Sequence, residues 1–132
     1  MQGRWFLRTS AVLAFLFGLM LIFNTRRFEA PIGIDVSDKI ATIAQAQGAI
    51  LLGLGVINWM TANGPMNSTV LAVLAGNLVV QLASLAVAVR ALATGIFPPA
   101  ASPAVVIHVF LGTGFAYYLA RTAAATRAAE VA

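Results

Sequence analysis

Four apolar runs, each close to the length that crosses a bilayer, constrain this chain more than any other feature. They cover approximately residues 5–23, 40–61, 70–89 and 104–120. A hydrocarbon core of about 30 Å needs roughly 20 consecutive apolar residues in a helix. Only 9% of the 132 residues are charged and 61% are hydrophobic, with a mean hydropathy of +0.92. Soluble domains carry about 25% charged residues, so lipid is the medium this composition fits. The expected fold is all-α: an integral-membrane four-helix bundle in one domain, with short loops and antiparallel neighbours. A helical extension over residues 121–132 is expected to continue the fourth span.

The segment ends carry boundary chemistry. In "DVSDK", Ser37 or Asp38 can cap the second span, and "NGPMNS" supplies a turn and then a cap for the third. "FPPAASP" breaks the chain before the fourth, with Ser102 as the expected cap and Pro103 at the first helical position. The first run begins with Arg4 and Arg8 and is unbroken from Ala11 to Phe23, as in a signal peptide. "FNTRRFEA" then places large and charged residues where a cleavage site needs small ones, so the run is expected to stay as a span.

The net charge of +4 does not indicate nucleic-acid binding, because the basic residues stand singly or in one pair between apolar spans rather than on a continuous face. They read instead as topology signals and contacts to lipid head groups. Arg4, Arg8, Arg121 and Arg127 fall at the end bearing both termini; Arg26, Arg27, Lys39 and Arg90 fall at the other. The basic count therefore ties. The acidic residues do not: Glu29, Asp35 and Asp38 oppose Glu130, and the termini are expected in the cytoplasm. Trp5, Trp59, Tyr117 and Tyr118 gather at the terminal-bearing end, where amphipathic rings favour an interface. Arg4, Arg8, Arg90 and Arg121 are expected to anchor at head-group level, with Glu29, Asp35 or Asp38 as alternative partners for Arg90.

Within lipid, close backbone approach and polar contacts replace apolar burial as the glue between helices. On the second span Ala41, Gly48, Gly55 and Ala62 recur every seven residues with Ala44 beside them, a smooth stripe expected to pack against a neighbour. Gly53 is expected to relieve crowding beside Gly55, with ligand contact as the alternative for both. Gly112, Ala116 and Ala120 repeat the motif at four-residue spacing on the fourth span.

Polar side chains within the spans are the candidate ligand contacts. Asn58 follows Gln47 by eleven residues, nearly the same helix face, and Asn77, Gln81 and Ser84 follow an i, i+4, i+7 pattern. An unpaired amide in hydrocarbon costs several kcal/mol, so these faces are expected to point into the bundle. Their role is either interhelical hydrogen bonding or a cavity for the head of a lipid, quinone or other amphiphile. His108, the only histidine, shares a face with Ala104, Gly112 and Phe115; an intramembrane ionisable group invites a functional hypothesis. A hydrogen bond to another helix is the plain reading, and an amphiphile or proton-linked site the next. The run "AVVIH" is similar to the small-x-x-x-His pattern of light-harvesting polypeptides, which bind bacteriochlorophyll through one imidazole. That similarity implies a pigment or heme contact at His108, a minor alternative; no cofactor is otherwise expected. One imidazole does not close a zinc site, and the chain has no cysteine to complete one.

No phosphate-binding glycine loop, paired intramembrane carboxylates or nucleophile elbow is present in the sequence. A non-enzymatic role follows as the expectation. Taken together, "QGAILLGLGVINW", "GNLVVQ" and "IHVFLGTGFAYYL" resemble small four-span bacterial inner-membrane proteins of uncharacterised role. The resemblance covers spans two to four and implies a compact four-helix fold in the inner membrane, with Asn58, Trp59, Asn77 and His108 as the positions of interest. The leading expectation is an accessory or stabilising subunit that meets lipids and a membrane-protein partner or further copies of itself. The alternative is a binding or transport module for a small amphiphile.

Overall fold

The spacing of small and apolar side chains builds four long helices whose seams all follow the same three-four rhythm. The computed structural model describes residues 2–64 and 67–131. Helix α1 runs Gln2–Glu29, α2 Asp38–Asn63, α3 Ser68–Ala93 and α4 Pro103–Val131. Short 3₁₀ turns at Ala30–Ile32 and Pro99–Ala101 lie in the first and third connections. No strand occurs among the described residues, and all four helices are long and apolar enough to cross a membrane.

Local chemistry sets the ends. Ser37 caps α2, its hydroxyl accepting from the Ile40 amide, and Asn67 caps α3 by accepting from the Thr69 amide at 3.0 Å. The turn residues at 65–66 lie outside the described residues. Pro103 opens α4 directly after Ser102. Gly33 and Gly95, with φ of 79° and 71°, make the reversals after α1 and α3 that a side chain would resist.

On α1 the inward residues are Leu7, Ala11, Ala14, Gly18, Leu21 and Thr25; on α2 they are Ala41, Ala44, Gly48, Leu51, Gly55, Asn58 and Ala62. Alternating steps of three and four residues define a heptad seam, which winds two helices gently around each other. Small side chains on both sides bring α1 and α2 into the closest pairing in the bundle. At their crossing Gly18 meets Gly48: a Cβ built on Gly48 would lie 2.7 Å from the Gly18 carbonyl oxygen, and one on Gly18 would lie 2.9 Å from that of Gly48. Gly55 receives the ring of Phe15, 2.8 Å from where its own Cβ would stand.

The same rhythm carries α3 through Val70, Leu74, Asn77, Gln81, Ser84, Ala88 and Ala91, and α4 through Ala104, His108, Leu111, Phe115 and Tyr118. Leu7, Ala62, Val70, Leu74, Leu111 and Phe115 form the buried core with contributions from every helix. This core sits towards the end that holds the N-terminus and the α2–α3 connection. Phe6 closes α1 onto α4, edge-on to Phe115 at 5.0 Å between centroids and tilted against Tyr118 at 5.1 Å. Gly114 makes the room, since a Cβ there would fall 2.2 Å from the Phe6 ring.

Three expectations about small residues are corrected. Gly53 is exposed with nothing near its Cβ position; two residues from Gly55 on a helix is about 200° away, so it faces out. Ala116 and Ala120 are exposed as well, while Gly112 is buried beside Gln81. Each four-residue step turns about 40° past the starting face, so a ladder of fours leaves the seam that alternating threes and fours keep.

The crossing predicts a sharp contrast between glycines. Gly48→Ala is expected to lower the free energy of unfolding in detergent by about 1–3 kcal/mol, the usual cost of forcing atoms into a filled seam. Gly53→Ala is expected to leave it unchanged or raise it slightly. Denaturant titration followed by circular dichroism checks both; equal losses would contradict the assigned seam.

Candidate functional site

Among the described residues, polar side chains of the spans pair across helix boundaries. Asn58 on α2 and Asn77 on α3 are both buried and joined reciprocally: Asn77 Nδ2 donates to Asn58 Oδ1 at 2.8 Å, and Asn58 Nδ2 donates to Asn77 Oδ1 at 3.1 Å. The second proton on each nitrogen is also placed. Asn58 Nδ2 reaches Ser10 Oγ on α1 at 3.3 Å, and Asn77 Nδ2 reaches the Val73 carbonyl at 2.9 Å. Ser10 passes its own proton to the Leu7 carbonyl at 2.9 Å. Three helices are thus tied at one level, with each amide satisfied as a dry interior demands.

One turn further along α3, Gln81 turns to α4. Its Oε1 lies 2.8 Å from His108 Nδ1. With the amide oxygen of Gln81 facing the ring, Nδ1 is the donor in this contact. The polar stripe of α3 therefore serves two neighbours, Asn77 addressing α2 and Gln81 addressing α4. Ser84, half-buried, continues the same face.

Gln47 is corrected: it is exposed, whereas Asn58 is buried. Eleven residues return to one face of a straight helix, but the α1–α2 seam repeats every seven, and in that frame Gln47 stands beside the seam position of Gly48 rather than on it. Gln45 is the glutamine that reaches across to α1, donating to the Ile22 carbonyl at 3.2 Å.

At the terminal-bearing end, the arginines expected as lipid anchors also clamp helices. Arg4 Nη2 donates to the Gly64 carbonyl at 3.0 Å, and Arg8 Nη2 to Asn63 Oδ1 at 2.6 Å. Both place positive charge at the carbonyl-rich end of α2, where the helix dipole favours it. Arg8 also lies over the exposed Trp5 ring at 5.3 Å. Arg121 lies over the ring of Tyr117 and donates to its phenol oxygen at 3.1 Å. Trp59 and Tyr117 are exposed; Tyr118 is half-buried on Phe6, so its ring packs within the bundle. Arg90 is exposed, and Asp38, weighed as its partner, pairs with Arg26 instead.

Sequence reasoning missed Ser10, Gly18 and Gly114. The first two carried a readable signal, because Ala11, Gly18 and Thr25 repeat at seven residues like the α2 stripe, and Ser10 lies beside Ala11. Gly114 had none, since only the arrival of Phe6 from a distant helix explains it. Among the described residues no group of three or more histidine, cysteine or acidic side chains could hold a metal ion. No protein-family model, curated protein or solved structure matches this chain.

A double-mutant cycle tests the central pair. Asn58→Leu and Asn77→Leu should each destabilise the protein in detergent, while the double variant should lose less than the sum. The expected coupling is about 0.6–1.7 kcal/mol, the range for interhelical hydrogen bonds in membrane proteins. Strict additivity would show the two amides to be energetically independent.

Proposed function

We propose that this chain is a non-enzymatic accessory or stabilising subunit of a larger complex in the bacterial inner membrane, with both termini in the cytoplasm. The observation that carries the reading is the pairing of Asn58 with Asn77 and Ser10, and of Gln81 with His108. Side chains that could have lined a substrate path hold the chain's own helices together. Two surface crevices, one of about 340 Å³ beside Phe15, Val56, Trp59 and Met60 and one beside the end of α1, are lined by none of these four groups on α2, α3 and α4. A carrier for a lipid, quinone or pigment needs such groups to converge on an open cavity, which makes that alternative the weaker one.

What remains for contact is the outer surface, and it is apolar. Ile43, Ile50 and Ile57 stand exposed at seven-residue spacing on α2, and Val106 and Phe110 on α4. With short connections between spans, a partner of this protein meets it mainly inside the bilayer. The likeness to small four-span inner-membrane proteins favours that compartment. The basic residues tie four to four, so the assignment of both termini to the cytoplasm rests on the uneven placement of the acidic residues. The terminal-bearing end holds four arginines against Glu130, while at the other end four basic residues face three acidic ones and Arg26 is paired with Asp38.

Two measurements bear on this reading. Native mass spectrometry of the particle extracted in mild detergent is expected to find a second membrane protein, or further copies of this chain, in fixed proportion; a monodisperse monomer alone would sink it. Because the chain has no cysteine, single introductions report topology cleanly. Ala100→Cys is expected to react with a membrane-impermeant maleimide added to intact cells and Ala128→Cys only after lysis. The reverse pattern would invert the orientation.

A further inference from the structure

The end of α1 departs from a continuous helix at Asn24, whose φ of −137° and ψ of 29° lie outside the helical region. A break at the margin of an apolar span exposes backbone groups that need partners. Gln45 supplies one by donating to the Ile22 carbonyl. Beside the break, between the end of α1 and the start of α2, opens a crevice of about 260 Å³. Asn24, Arg26, Arg27 and Gln45 give it polar walls, and Ile22 and Phe23 an apolar one.

We propose that this crevice binds the phosphate of an anionic phospholipid, with Arg27 and Asn24 as donors and the acyl chain leaving along Phe23. Its depth fits, because the first apolar run ends at Phe23 and the polar walls begin with the next residue. Its charge fits too. Arg26 is held by Asp38, and neither of the other carboxylates at this end, Glu29 and Asp35, lines the crevice. Arg27 is exposed and has no ion-pair partner among the described residues. An arginine fork and an amide suit a phosphate diester. Phe23, 74% exposed beside them, distinguishes a lipid from a soluble anion by offering hydrocarbon contact in the same place.

The test uses the full chain in nanodiscs of phosphatidylcholine with or without phosphatidylglycerol, released into the mass spectrometer with its retained lipids. Phosphatidylglycerol should be retained in preference to phosphatidylcholine, and Arg27→Gln should reduce that preference about fivefold, as expected for one basic residue near an anionic surface. Arg27→Lys should keep most of it. Arg90→Gln, which removes a head-group charge at the same end but outside the crevice, should reduce it clearly less than Arg27→Gln does. Helical content by circular dichroism identifies any variant that fails to fold. Undiminished preference in a folded Arg27→Gln variant would overturn the proposal, as would an equal loss in Arg90→Gln. Binding of inorganic phosphate through Arg27, without any preference for phosphatidylglycerol, would assign a soluble anion instead and overturn it as well.

Discussion

The contact of Gly18 with Gly48 sets how near two backbones come, and the rest of the bundle is arranged around that distance. In water, burying leucine against leucine would drive helices together. In lipid the same leucine loses almost nothing by facing acyl chains, so attraction depends on how many atoms meet at van der Waals separation and on what hydrogen bonds form. Two glycines remove the side chains that hold helix axes apart. The heptad of alanine, glycine and leucine on either side of the crossing then keeps α1 and α2 in contact along their length. The α3–α4 seam carries larger groups, Gln81 and His108 among them, and those helices approach less closely.

Close packing of small residues gives attraction without strong register. A stripe of alanines can slide by a turn and still find alanines. The amides supply what the stripe lacks. A shift of one turn, about 5.4 Å, would separate Asn58 from Asn77 and leave two buried amides unpaired, a penalty far larger than any loss of smoothness. Ser10 extends the lock to α1, and Gln81 with His108 extends it to α4. Polar residues few in number thus determine which of several smooth packings forms, as a single buried asparagine selects register in a coiled coil.

Much of this architecture can be read from the chain, and the parts that cannot share a physical reason. Span number and the caps at Ser37 and Asn67 depend on composition and local hydrogen bonding, which sequence displays directly. The α2 stripe through Gly48 and Gly55 is legible because its period is a property of one helix. Gly53 and the Ala116–Ala120 pair mislead because a small residue announces room, not a neighbour. Only the seven-residue frame separates Gly53 from Gly55. The choice of partners is less visible: Asn58, Asn77, Gln81 and His108 stand out as polar, yet which pairs with which depends on how four rods are arranged. Gly114 belongs to the same class, being a consequence of where Phe6 arrives from another helix.

The division between inside and outside bears on the proposed role. Hydrogen-bonding capacity that is satisfied internally is not available to a transported solute, and a carrier must break and remake such contacts in every cycle. Here Asn58 and Asn77 make three side-chain hydrogen bonds each, beside a core held by Phe115, Leu7 and Leu74. Opening a path past Asn58 would cost the reciprocal pair and the Ser10 bond together, with nothing on the path to replace them. A fixed scaffold with apolar faces meets no such cost. The internal pairing of Asn58 and Asn77 and the chemical plainness of the exterior therefore favour the same proposal: a body whose use lies in the surface it offers to neighbours in the membrane.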